Sequence, residues 1–167
     1  GLLSLELNVD RTHIYQIMFW AGYNKAGEAA LWIGAMQGPN MENARDVVKK
    51  MTKVCHGYRT KNLILYMLQA MARAMGIKKI YAVSNYGYYA NNHVRADRKL
   101  KTNFGDFWLE AGGKETEDER FYELPLVEPR KTMEEVPTRK RAVYRRRFAF
   151  LDEVDAEIEQ AVKNILK

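Results

Sequence analysis

Between residues 55 and 61 the chain reads Cys-His-Gly-Tyr-Arg-Thr-Lys, a turn that places an imidazole, a thiol and two cations ahead of an apolar run. Backbone N–H groups and basic side chains at a helix N-terminus stabilise an anionic ligand, so this turn is a candidate phosphate site. Gly57, Tyr58, Arg59 and Lys61 would hold the anion, Arg59 through a forked contact and Lys61 as a point charge. His56 would donate to a phosphate or act as a base near neutral pH; its structural alternative is to order the turn through a backbone carbonyl. Arg59 and Lys61 have an alternative too, as a solvated helix start, although cations there oppose the helix dipole unless an anion intervenes.

A second constellation lies downstream. His93 sits in the Tyr- and Asn-rich loop YGYYANNHVR, and with Asp106 it would form an acid/base pair able to deprotonate an amine or hydroxyl nucleophile. A surface loop with incidental aromatics is the competing reading. Cys55 reads as a small buried hydrophobe rather than a nucleophile. The tryptophans and the Met67, Met71, Met75 stripe read as core or cleft wall.

These groups need elements to position them. Leu3, Leu5, Leu7 and Val9 alternate with polar residues, HIYQIMFW at 13–20 is aromatic and β-branched, and EAALWIGAMQG at 28–38 follows a turn at 24–27, predicting three consecutive antiparallel strands. Asn40 is the expected cap of a helix reaching Val54, and a second, more apolar helix spans 61–75 until Gly76 stops it. KKIYAVSN then reads as a strand, 102–111 as a short helix ended by Gly112 and Gly113, and FYELPLV at 121–127 as a last strand. The order is β-β-β-α-α-β-α-β-α, an α+β domain with a mixed sheet. One domain over 1–167 is expected, with a core at 3–127, a linker at 128–138 and a helix at 139–166 whose apolar stripe runs from Phe148 to Ile165. Residues 2–9 begin as a strand without a preceding cap, which suggests an absent upstream segment.

Composition narrows the classes. A single cysteine among 167 residues excludes an internal disulfide and, with no zinc-like Cys/His spacing, no metal site is expected. The N-terminus lacks signal-peptide features, and no apolar run has the length of a spanning helix, so the chain reads as soluble. The formal charge of +6 is concentrated in Arg139, Lys140, Arg141, Arg145, Arg146 and Arg147, whereas 152–159 hold five acids and no base. Internal pairing, nucleic acid, anionic lipid and an acidic protein such as an acyl carrier protein compete to explain the block. No nucleic-acid-reading motif is present, which favours lipid or carrier protein.

The strand, Arg/Gly turn, long apolar helix, strand after GIKKIY and FW before GG together resemble the acyl-CoA N-acyltransferase (GNAT) fold over most of 3–127. That resemblance implies a mostly antiparallel mixed sheet with flanking helices, to which the C-terminal amphipathic helix is an addition. It also implies a pantetheine-linked pyrophosphate held by the amides of the turn Cys55–Lys61. The usual turn has two glycines; this one has Gly57 alone.

At the level of phrases, WIGAMQG, MTKVCHGYRTKNLIL, AVSN with His93 downstream, FGDFWLEAGG, YELP and KRAVYRRRF are similar to the bacterial VirK/YbjX family. Arg59-Thr60-Lys61 stands where the family usually has Arg-Pro-Lys, and Phe104-Gly105-Asp106-Phe107-Trp108 where it has Tyr-Asp-x-Phe-Trp. Members are commonly longer, with a further N-terminal half. The resemblance implies a setting of virulence, envelope integrity and tolerance of cationic antimicrobial peptides.

The function expected is therefore transfer of an acyl group from a phosphopantetheine thioester, on coenzyme A or an acyl carrier protein, to an envelope or protein amine or hydroxyl. His93 with Asp106 would be the base, and a strand-edge amide near Ala35–Gln37 would receive the oxyanion, with Gln37 in the donor site. The alternative is a non-catalytic module that binds anionic lipid or a protein through its basic helix. The expected location is the bacterial cytoplasm, peripheral at the inner membrane.

Overall fold

The structure is a computed structural model that describes residues 1–88 and 103–167. Its first three strands, β1 (Leu2–Val9), β2 (Thr12–Tyr23) and β3 (Ala29–Gln37), form an antiparallel meander. Asp10 and Arg11, both with positive φ, close the first hairpin as a two-residue turn. In the second, the Asn24 side chain accepts from the amides of Ala26 and Glu28.

Two helices, α1 (Ala44–Val54) and α2 (Thr60–Ala74), carry the chain over to β4 (Lys79–Val83), which lies parallel to β3. Helix α3 (Phe104–Glu110) precedes β5 (Lys114–Glu115) and β6 (Phe121–Leu124). A 3-10 turn at Thr138–Lys140 then leads into the long helix α4 (Arg141–Ile165). The six-stranded sheet has the order β1-β2-β3-β4-β6-β5, antiparallel except at β3/β4. This is the mixed, mostly antiparallel α+β architecture expected from the sequence, with β5 as an unforeseen short edge strand.

Boundaries moved for local reasons. Helix α1 begins after Asn43 rather than Asn40, because Met41–Asn43 form a turn in which the Ala44 amide reaches the Met41 carbonyl. Strand β6 stops at Leu124 since Pro125 has no N–H to donate. The helix expected from 139 begins at Arg141, after the 3-10 turn.

The core lies between one face of the sheet and helices α2 and α3. Ile17, Phe19, Leu31, Ile33, Ile80 and Ala82 from the strands meet Ile64, Leu65, Leu68, Phe107 and Trp108 from the helices. A second cluster, Cys55, Tyr58, Leu63, Tyr66 and Leu151, joins the far side of α2 to α4. Helix α2 therefore has apolar residues on most sides because it is packed on most sides. Strand alternation turns Trp20, Trp32 and Tyr81 to the opposite face of the sheet, with the Trp20 and Trp32 ring planes 5° apart.

Candidate functional site at the carboxyl edge of the parallel pair

Topology points to one edge of the sheet. In open sheets, ligands bind in the crevice beyond the carboxyl ends of parallel strands. Helix α2 runs back from that edge: its C-terminal side is at the opposite end, where the Lys78 amide donates to the Ala29 carbonyl at 2.8 Å. Its N-terminus therefore lies toward the end of the sheet at which β3 and β4 finish. The pairing of β3 with β4 covers Ala30–Ile33, yet β3 continues to Gln37, paired there only with β2. A bulge at Gly34, where the β2 register slips between Met18 and Phe19, marks the point of divergence. Ala35–Gln37 thus leave one strand edge without a β4 partner at that end of the sheet, and Gln37 is exposed there.

Helix α3 closes the same place. The Trp108 indole donates to the Val83 carbonyl at 2.8 Å, and the Phe104 amide donates to the Asn85 side chain at 2.8 Å. The Lys61 ammonium sits 3.9 Å from the centre of the Phe107 ring, so the first turns of α2 and α3 adjoin. Burial holds the Lys61 ammonium below its ordinary value, against the pull of Glu110 and with a smaller push from Arg59. Asp106 is committed locally: its carboxylate accepts from the Asn103 amide group at 2.7 Å while its own N–H donates back to the Asn103 side chain, a reciprocal helix cap. His93 lies outside the described residues. Tyr88, on one flank of that stretch, packs its ring 5.3 Å from Phe104, next to Asn103 on the other flank.

The turn at 55–58 has a different construction from the one expected of a phosphate cradle. The His56 amide donates to the Lys53 carbonyl at 3.1 Å and the Gly57 amide to Thr52 at 2.8 Å, with His56 and Gly57 both at positive φ. That is a Schellman motif ending α1, with a histidine where glycine is usual. The amides of Cys55 and Tyr58 are also bonded, to Met51 and Cys55. The donors that remain belong to α2 itself: Thr60, Lys61 and Asn62 precede its first internal bond, Leu63 to Arg59. The free helix-start amides are therefore at Thr60–Asn62, with exposed Arg59 as the N-cap residue, and not in the Cys55–Tyr58 turn.

His56 and Tyr58 turn away from that edge toward α4. The His56 ring meets Phe150 edge-on at 6.2 Å, and its carbonyl accepts from Arg147 Nε at 3.1 Å. The Tyr58 hydroxyl donates to Glu128 at 2.7 Å. Burial, then Glu128, pushes the Tyr58 phenol far above its ordinary value. Burial likewise raises Glu128, against the opposing effects of the Tyr58 hydrogen bond, Arg130 and Arg147. Glu128 lines a cleft of about 460 Å³ with Tyr66, Arg73, Val127, Arg130, Asp152 and Asp155. Arg130 pairs with Asp152 at 2.8 Å and donates to the Tyr66 hydroxyl at 3.1 Å, while Arg73 pairs with Asp155 and the Leu126 carbonyl.

The basic block divides. Arg147 is folded inward, its guanidinium 4.2 Å from the Tyr144 ring centre, and Arg141 donates to the Val136 carbonyl. Arg139, Lys140, Arg145 and Arg146 are exposed and take part in none of the ion pairs among the described residues.

Residues 1–160 match a family described as "Protein of unknown function (DUF535)". The chain belongs to this family. It is 31% identical to the "Uncharacterized protein YbjX" of Escherichia coli over 134 residues, 79% of this chain and 40% of that protein, which places this DUF535 chain with the VirK/YbjX proteins. An "Uncharacterized protein" of Haemophilus influenzae is 30% identical over 145 residues, 87% of this chain and 48% of the relative. "Membrane protein LapB" of Mannheimia haemolytica is 32% identical over 83 residues, 50% of this chain and 36% of that protein. The chain thus spans about half the length, or less, of these curated relatives. No solved structure matches it. Among the described residues no helix is long and apolar enough to cross a membrane, and no group of His, Cys, Asp and Glu could hold a metal ion.

Of the site residues expected from the sequence of this DUF535 chain, Arg59 is the N-cap residue of α2 and Lys61 lies over the Phe107 ring of α3. The Glu128–Arg130 cleft lies outside those expectations, because its residues come from α2, α4 and the stretch between β6 and the C-terminal helix. A carboxylate between Val127 and Pro129, with Arg130 after it, was the available signal.

Proposed function

We propose that this chain carries the donor site of an acyltransferase, which moves an acyl group from a phosphopantetheine thioester to an amine or hydroxyl of an envelope or protein acceptor. The observation that carries the reading is the edge formed by Ala35–Gln37 beyond the last β4 pairing, at the end of the sheet where α2 begins with Arg59 as its N-cap residue. A pantetheine arm is an extended amide chain and suits addition along such an edge. Its phosphates suit the Thr60–Asn62 amides and the Arg59 guanidinium. A β3 amide near Ala35–Gln37 would polarise the thioester carbonyl.

In this reading His93, aided by the Asp106 region, takes the proton of the acceptor as its oxygen or nitrogen attacks the thioester carbonyl. The carbon–sulfur bond breaks, and the departing pantetheine sulfur receives the proton. An envelope acceptor accords with the virulence and peptide-tolerance setting that the family resemblance implies, and with a cytoplasmic chain working peripherally at the inner membrane. The name of the Mannheimia haemolytica relative, a membrane protein, lends support to that location.

Calorimetric titration with coenzyme A and with a long-chain acyl-coenzyme A, at low and moderate salt, tests the reading. Saturable binding that persists at moderate salt and is lost in Arg59→Ala is expected. No binding at either salt overturns it and favours the second reading, a non-catalytic module using exposed Arg139, Lys140, Arg145 and Arg146 on anionic lipid.

A further inference from the structure

The long helix α4 is charged against its own dipole. Cations gather at its N-terminal end and acids in its later half, whereas a helix is stabilised by the reverse arrangement. Four of those cations, Arg139, Lys140, Arg145 and Arg146, are exposed and lack any ion pair among the described residues. They therefore serve neither the helix nor an internal network, and their field is directed at solvent.

Two further observations narrow what would meet them. The apolar side of α4 is already used: Leu151 is fully buried against α2, and Phe148 and Val154 pack beside it. The uncharged exposed positions among the basic residues are Ala142 and Ala149, so this face has no large apolar side chain to sink into a bilayer. The face is also fixed relative to the proposed donor site. Arg147, next to Arg146, is bonded to the His56 carbonyl at 3.1 Å, and the same turn leads through Tyr58 to Arg59 at the start of α2.

We infer that the exposed face of Arg139, Lys140, Arg145 and Arg146 docks an acidic carrier protein, whose phosphopantetheine arm then reaches the α2 N-terminus. The inference rests on the acyl-transfer reading and specifies its donor as a carrier-bound thioester rather than free coenzyme A. Charge complementarity supplies the recognition. A protein donor brings an acidic surface to match four spaced cations, while a free coenzyme brings phosphates that the α2 N-terminus alone would accommodate.

The test is titration of the chain with Escherichia coli acyl carrier protein in its apo and holo forms, at two salt concentrations. Arg145→Glu/Arg146→Glu is the variant, Lys114→Glu the exposed control, and circular dichroism the check on folding. Both carrier forms are expected to bind, more weakly as salt rises, and the double variant to lose at least tenfold while the control and coenzyme A binding stay unchanged. Failure of both carrier forms to bind, or equal binding by the folded double variant, overturns the inference; if coenzyme A still binds, the acyl-transfer reading survives it. Binding to vesicles of phosphatidylglycerol and phosphatidylcholine, with none to either carrier, overturns it in favour of a membrane surface. Should the double variant misfold, Arg139→Gln/Lys140→Gln replaces it, with a loss of affinity expected and an unchanged affinity contradicting the inference.

Discussion

Arg147 donates from Nε to the main-chain carbonyl of His56 at 3.1 Å across 91 residues of sequence, and so joins α4 to the turn that begins α2. At Gly57 the turn requires a left-handed backbone, and a side chain there would have to displace Arg147. The Gly57 φ is +76°, and a Cβ there would lie 3.0 Å from an Arg147 guanidinium nitrogen.

Arg147→Ala should lower stability by about 1–2 kcal/mol in urea unfolding, through the lost hydrogen bond and ring contacts. Gly57→Ala should cost a comparable roughly 1–2 kcal/mol for its left-handed backbone. Because the two sites touch, the double variant should lose less than the sum, and strict additivity would argue against the coupling.

The Tyr58–Glu128 pair predicts a pH effect. Burial raises the Glu128 carboxyl above its ordinary value in the folded chain, so the stability it contributes is present below the unfolded carboxylate pKa of about 4.3 and is lost as pH rises through the raised folded value. The wild type should therefore lose stability relative to Glu128→Gln in urea melts as pH is raised from about 4 to about 7. Tyr58→Phe removes a hydrogen bond that holds Glu128 down, and should extend that loss to higher pH. A constant difference between wild type and Glu128→Gln would contradict the assignment.

Asp106 and His93 should separate by phenotype. Asn103 caps α3 and the Asp106 carboxylate holds the capping side chain, so Asp106→Ala should cost about 0.5–1 kcal/mol in thermal or urea unfolding, with Asp106→Asn closer to wild type. His93→Ala should leave coenzyme A binding in place and abolish acyl transfer. Retained transfer in a folded His93→Ala chain would remove that residue as the base.

Lys61 offers a cleaner probe of the donor site than Arg59. Methionine keeps the chain length and its packing on Phe107 but loses the ammonium–ring contact, so Lys61→Met should lower stability by no more than about 1 kcal/mol. Its affinity for coenzyme A should nevertheless fall about tenfold, the scale of one charge-assisted contact. Unchanged affinity would exclude Lys61 from the phosphate site.

Much of the fold could be read because its signals are local. Gly76 and Gly112 end α2 and α3 as expected, each at positive φ with the backbone bonds of a Schellman motif. The same motif ends α1 at His56 and Gly57, but there the glycine stands one residue later than usual, within a stretch whose basic side chains also fit an anion loop. The expected position of the donors therefore shifted by a few residues, into α2. Other features depend on contacts far apart in sequence and leave no local trace. Nothing near Arg147 announces the His56 carbonyl, and nothing near Glu128 announces Tyr58, 70 residues earlier. The division of the basic block into inward Arg141 and Arg147 and four exposed cations follows from which side of α4 faces α2, which the charge count alone does not contain.

In the proposed function a pantetheine donor lies between the Ala35–Gln37 edge and the first turn of α2. Backbone amide chemical shifts of the labelled chain, followed through a coenzyme A titration, test it most directly. Saturable shifts concentrated at Thr60–Asn62 and Ala35–Gln37, and lost in Arg59→Ala, are predicted. Shifts absent throughout, or confined to the Glu128–Arg130 cleft or to Arg139–Arg146, would contradict it.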